Sequence, residues 1–186
     1  MFGAHPDDCE LKAGGCAALW TSHGHVVRIV SLTNGNTGHY AMGGGVLAKR
    51  RRDEAAAAAA VVGAESLVLD IHNGELMPDI PTRKQVIRII REFEPDLILT
   101  HRPNDYHPDH RYTSQLVQDA SYILRVPNMT PLTPPLLKPV TIMYFSDRFR
   151  KPAPFVPDVA VDISGVIETK IEMVGCHESQ VFEWLP

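Results

Sequence analysis

The sequence predicts an α/β fold: a mostly parallel central sheet with helices on both faces, a three-layer sandwich. Two observations carry that expectation. Short β-branched apolar runs alternate with longer helical patterns through most of the chain, which is the rhythm of right-handed β-α-β crossovers. The chain also has 186 residues, 44% hydrophobic and 22% charged, enough for one compact core. With no internal repeat visible, residues 1–186 read as a single domain.

The elements follow in order. Met1 to Ala4 is the only room for a first strand before the polar cluster HPDDCE begins. Buried parallel strands usually run about five residues, so this strand reads as cut short. The chain is therefore expected to lack residues at its start. Leu11 to His23 reads as the first helix, and VVRIVSL (26–32) as the second strand.

Thr33 to Gly45 holds five glycines. Neither GxxxxGK[ST] nor GxGxxG occurs, so a phosphate-cradling loop is disfavoured and a mobile lid beside a site is the more useful expectation. Leu47 to Gly63, rich in alanine, reads as the second helix. SLVLD (66–70) is the third strand, Thr82 caps a helix running to Phe93, and DLILT (96–100) is the fourth strand. A fourth helix follows Asp109 to about Leu124. Arg125 to Pro139 carries five prolines and reads as an ordered irregular excursion, while VTIMYF (140–145) and DVAVDI (158–163) read as two further strands.

Composition excludes several function classes. The net charge of -4, from 18 basic and 22 acidic residues without a long run of either sign, gives no basic face for nucleic acid. Cys9, Cys16 and Cys176 are odd in number and lack a CxxC pairing, which argues for a reducing compartment and against a disulfide framework. No apolar run is long enough to span a bilayer, and no signal sequence is visible. A soluble, cytoplasmic protein is expected, subject to what an upstream segment would carry.

In an open parallel sheet, ligands bind beyond the carboxyl ends of the strands where the strand order reverses. For the order 3-2-1-4-5, that point lies between strands one and four. The loop after strand one is His5-Pro6-Asp7-Asp8, and the loop after strand four is HRPNDYHPDH, His101 to His110. The two segments richest in His and Asp are thus predicted to face each other.

A lone loop histidine is ordinarily solvated or a cap, and paired aspartates before a helix are ordinarily an N-cap. Two HPD triplets at the two loops that topology joins point instead to a metal. Catalytic zinc takes three His or carboxylate ligands and keeps a position open. His5 and Asp8, three apart across a turn, can face one point, and His110 is the candidate third ligand. Asp7 is then free to take a proton from metal-bound water. His107 can stand across the substrate as acid or electrostatic support, and Asp109 can orient one ring through its other nitrogen.

GAHPDDCE together with HPDH resembles the LmbE-like zinc deacetylases, the PIG-L family. Arg51 with Glu54 before the alanine-rich helix is similar to that family's RxxE segment, and KIEMVGCHESQ, Lys170 to Gln180, is similar to its C-terminal lysine helix ending in HxSQ. The resemblance implies a Rossmann-like fold and zinc-dependent hydrolysis of an N-acyl amide, commonly the N-acetyl group of a glucosamine-containing small molecule. Carried over by position, it puts the ligands on His5, Asp8 and His110, the base on Asp7 and the assisting histidine on His107, in agreement with the spacing.

Other residues keep two readings. Arg51 binds a sugar hydroxyl, phosphate or carboxylate of the substrate, or makes surface pairs at the start of a helix. His177 either reaches the site or packs, Glu10 anchors the loop or caps the first helix, and His101 supports the metal shell or, preferably, packs. Asp105 is assigned no chemistry; His23, His25, His39 and His72 are taken as ordinary surface or packing residues, and Cys9 as buried. Zinc or another divalent ion remains open, as do self-association and a different N-acyl amide as substrate. A non-catalytic sugar or metal binder is the remaining alternative, disfavoured by the presence of Asp7.

Overall fold

A computed structural model describes all residues, 1–186. Five strands, β1 (Phe2–Gly3), β2 (Arg28–Ser31), β3 (Glu65–Val68), β4 (Leu97–Thr100) and β5 (Thr141–Tyr144), form one sheet in the order β3-β2-β1-β4-β5. Every pairing is parallel, with Phe2 opposite both Val30 of β2 and Thr100 of β4. β1 is short, but its ladder continues: Leu32 N–H donates to Gly3 O and Thr33 N–H to Ala4 O. The polar cluster that follows is thereby hung from the sheet's centre.

Alternation of side chains along the strands makes two cores. On one face, Phe2, Val30 and Ile98 pack against α3 (Ile80–Phe93) and α4 (Pro108–Ile123) through Val86, Ile90, Leu116 and Val117. On the other, Ile29 packs with Cys9, Ala13 and Ala17 of α1 (Asp8–Ser22), Ala59 of α2 (Gly44–Val61) and Met173 of α5 (Ile167–Gly175). The predicted three-layer α/β architecture is present.

Several local expectations need correction. Asp79, rather than Thr82, caps α3, accepting from Thr82 N–H at 2.8 Å, with Pro81 in the first turn. Helix α4 begins at Pro108, capped by the His107 ring. DVAVDI is not a strand: Val159 and Val161 are exposed, and the segment pairs with no strand of the sheet. Instead the segment delivers Ile163 onto Gly15 of α1, where any Cβ would come within 2.6 Å of the isoleucine side chain.

The glycine-rich connection is pinned at its start. Asn34 Nδ2 donates to Asp70, and Asn73 N–H donates to Asn36 Oδ1. The proline-rich excursion is ordered, as expected, because buried Arg91 donates to the carbonyls of Leu124, Val126, Met129 and Thr133. No helix is long and apolar enough to cross a membrane, and the three cysteines are free.

Candidate metal centre

The crevice between β1 and β4 holds the predicted residues together. After β1 the chain turns sharply, and Asp7 takes φ 140°, ψ −25°, a conformation that side-chain-bearing residues avoid and that costs on the order of 1–3 kcal/mol. The turn directs the Asp8 carboxylate back over its own loop, where Oδ2 accepts from Ala4 N–H at 3.0 Å and His5 N–H at 2.8 Å. From the opposite side, α4 presents His110, and the loop before it presents His107 and Asp105.

Four donor atoms of three residues converge. His5 Nδ1 lies 3.3 Å from His110 Nε2 and 3.4 Å from Asp8 Oδ2, while His110 Nε2 lies 3.5 Å from Asp8 Oδ1. Ligands held about 2.1 Å from a tetrahedral ion are spaced about 3.4 Å apart. These separations are of that order, and the sets whose donor atoms all lie within 4.8 Å of one another are His5 with His107 and His110, and Asp8 with His101 and His110.

The surrounding carboxylates set the tautomers. His5 Nε2 faces Asp109 Oδ2 at 3.1 Å, and His110 Nδ1 faces Asp105 Oδ2 at 2.8 Å. A carboxylate only accepts, so those ring nitrogens carry the protons and the lone pairs on His5 Nδ1 and His110 Nε2 turn inward, toward each other and toward Asp8. Two lone pairs and a carboxylate facing one point repel unless a cation or a proton sits among them. Burial opposes charge on His5, yet Asp109 and Asp8 outweigh it and raise its pKa to about 10. Burial likewise works against the Asp8 carboxylate, but His101 and His110 hold it well below the ordinary carboxylate range.

Around this centre, His107 Nδ1 accepts from Asp109 N–H at 3.2 Å, leaving the neutral ring its proton on Nε2. Burial first, then the neighbouring His5 and His110, lowers its pKa. The ring lies 4.7 Å from that of His5 and stacks at 4.7 Å on His110. Asp7 is buried beneath the turn, with Oδ2 3.1 Å from Arg51 Nη2. Burial pushes its pKa up to about 6 against the opposing pull of Arg51.

Two residues expected to touch substrate are sealed from solvent instead. Arg51 is 2% exposed, donates to Pro6 O at 2.6 Å and braces the Asp7 turn from below. Gly35, at φ 68°, makes room for it, since a Cβ there would lie 2.4 Å from the guanidinium. His177 is 0% exposed and faces Glu10 at 3.4 Å. Burial raises the cost of its charge, but Glu10 prevails and raises its pKa. Asp109, expected to orient a ring through its other nitrogen, is fully buried and stands behind His5, its Oδ2 3.1 Å from His5 Nε2 and accepting from Gly74 N–H at 2.7 Å.

Sequence reasoning undervalued two residues. His101 does more than pack: its Nε2 lies 3.2 Å from Asp8 Oδ2, and its ring stacks on His110 at 4.1 Å. Asp105 fixes the His110 tautomer and accepts from His107 N–H at 2.8 Å. Its position inside the same histidine-rich loop, five residues before His110, is the signal that could have found it. His39 pairs with Glu183 at 2.9 Å, outside the centre.

Fold and centre together define a parallel α/β domain that carries a candidate His/carboxylate cation site where its strand order reverses. Residues 1–121 match the family model for PIG-L, described as GlcNAc-PI de-N-acetylase, and the chain belongs to that family. A diacetylchitobiose deacetylase from Thermococcus kodakarensis is 31% identical over 188 residues, covering 95% of this chain and 67% of that protein. The structure of the N,N'-diacetylchitobiose deacetylase from Pyrococcus horikoshii superposes with a TM-score of 0.83 at 27% identity, covering 96% of this chain and 68% of that one. The structure of GalB, the 4-carboxy-2-hydroxymuconate hydratase from Pseudomonas putida, superposes with a TM-score of 0.87 at 27% identity, covering 98% and 79%. The chain thus spans about two thirds of the length of the two deacetylases.

Proposed function

We propose that this protein hydrolyses the N-acetyl group of a small glucosamine-containing molecule, with zinc or a similar divalent ion held by His5, Asp8 and His110. The observation that carries the reading is the convergence of His5, Asp8 and His110, whose facing nitrogen and carboxylate oxygen atoms approach to 3.3–3.5 Å. The relatives named as diacetylchitobiose deacetylases support an N-acetylated amino sugar as the substrate class.

A divalent ion held there by His5, Asp8 and His110 would supply Lewis acidity and would lower the pKa of water from 15.7 toward about 7. The chain's own residues do the rest. Asp7, with a pKa of about 6, is poised near neutrality to accept the proton of the attacking water, and general base help of this kind is worth about 10²–10⁴ in rate. His107 offers Nε2–H to the oxygen on which negative charge develops, which suits a neutral ring whose other nitrogen is committed to the α4 cap. Arg51 keeps the Asp7 turn in its strained shape. Asp105 and Asp109 keep both ligating rings in the required tautomer.

GalB favours a second reading, because a hydratase on the same fold also needs an activated water but delivers it to a different acceptor. One experiment separates them. Metal-loaded protein is incubated with a panel of N-acetylglucosamine conjugates, and free amine and acetate are measured against the Asp7→Asn variant. Equimolar amine and acetate above the variant's background support deacetylation. No release from any conjugate, with water added to an unsaturated carboxylic acid, supports the hydratase reading.

A further inference from the structure

His101 is the first residue after β4, and the sheet holds it firmly. It is buried, Phe145 meets its ring edge-on at 5.5 Å, and its neighbour Thr100 donates to Phe2 O of β1 at 3.1 Å. From that position the ring reaches both facing loops. Its Nε2 lies 3.2 Å from Asp8 Oδ2, and its face stacks on His110 at 4.1 Å with the two planes 8° apart.

What Nε2 faces fixes its proton. A carboxylate only accepts, so His101 Nε2 carries a hydrogen and donates it to Asp8 Oδ2. Ala4 N–H, 3.1 Å from the same ring nitrogen, has that oxygen as its acceptor at 3.0 Å, and His5 N–H reaches it at 2.8 Å. Three donors therefore crowd Oδ2, while Oδ1 faces His110 Nε2 at 3.5 Å. The two backbone donors belong to Asp8's own loop and move with it. His101 is the hold from across the crevice.

The same proton decides between two sets of donors. Asp8, His101 and His110 bring their atoms within 4.8 Å of one another, but an Nε2 that carries a hydrogen has no lone pair for a cation. His101 then serves the centre without joining it.

Resting on the cation site proposed above, we propose that His101 is a positioning residue: its Nε2–H keeps Asp8 Oδ2 off the cation, so that Oδ1 is the single oxygen Asp8 offers. One oxygen from Asp8 leaves the ion three protein ligands and a position free for water, as catalytic zinc requires. Without the hold, Oδ2 competes for that position.

The test loads the full chain with cobalt(II), whose visible bands weaken when a fifth donor joins four. His101→Phe keeps a flat ring for the stack and lacks the N–H, whereas His101→Gln returns an amide N–H to the same side. The phenylalanine variant is expected to keep one cobalt per chain with weakened bands and to release amine about 10–100-fold more slowly, and the glutamine variant to recover the bands. If His101→Phe does not fold, His101→Met takes its place. Wild-type bands in the folded donorless variant overturn the proposal. So does loss of cobalt from both variants, the result expected of a ligand. If wild-type protein takes up no cobalt, the cation site and this proposal fall together. If the bands respond as stated while no N-acetylglucosamine conjugate releases amine, deacetylation fails and the role of His101 stands.

Discussion

The two loops that build the centre are alike in composition and opposite in character. The loop after β1, residues 4–10, is buried throughout, and its aspartates are held by backbone amides, a strained turn and a buried arginine. The loop after β4, residues 101–110, is half open to solvent; its His110 Nδ1 faces the Asp105 carboxylate and its His107 Nδ1 accepts from the Asp109 N–H. Geometry on the first side is set by the sheet; on the second it is set by hydrogen bonds within the loop and the first turn of α4. In the proposed reading the first side is a fixed template for one ligand pair and a base, and the second is where tautomer and access are tuned.

That contrast can be broken at two points and sharpened at a third, in decreasing order of effect. Asp7→Asn removes the proton acceptor from the fixed side, and kcat for amine release is expected to fall by about 10²–10⁴ with metal content unchanged. A variant that retained normal turnover would take the base away from Asp7. Asp105→Asn loosens the tuned side only. Metal affinity is expected to drop roughly 10–100-fold as the His110 tautomer is freed, with the melting temperature little changed; chelator competition reads this directly.

Arg51→Met sharpens the comparison rather than breaking it. Burial raises the Asp7 pKa and Arg51 opposes that rise, so removing the guanidinium raises it further. Activity needs the deprotonated carboxylate, so the acid limb of kcat/KM moves to higher pH, by about one unit, equivalent to ~1.4 kcal/mol. An unmoved limb with a lowered melting temperature would make Arg51 a purely structural brace.

The fold was legible because the pattern repeats: apolar runs between helical stretches dictate a parallel sheet, and the sheet order brings the two His/Asp loops together before any side chain is placed. Burial was not legible. Arg51 lies in the run KRRRDE, which reads as a solvated face until α2 is seated against the Asp7 turn, with Gly35 opening the space. DVAVDI alternates as a strand does, but alternation cannot supply a partner strand. That His5, Asp8 and His110 meet follows from spacing and strand order, whereas the role of Asp105 depends on which way one imidazole turns, and that is fixed only when His110, Asp8 and His5 face each other.

The central claim is that His5, Asp8 and His110 converge on one cation. Its most direct test is equilibrium titration of metal-stripped protein with zinc, alongside His5→Ala, Asp8→Ala and His110→Ala variants whose folding is checked by circular dichroism. One tightly bound zinc per chain, lost in each folded variant, is the predicted result. Stoichiometric zinc binding that survives in all three variants, or none in the wild-type protein, would contradict it.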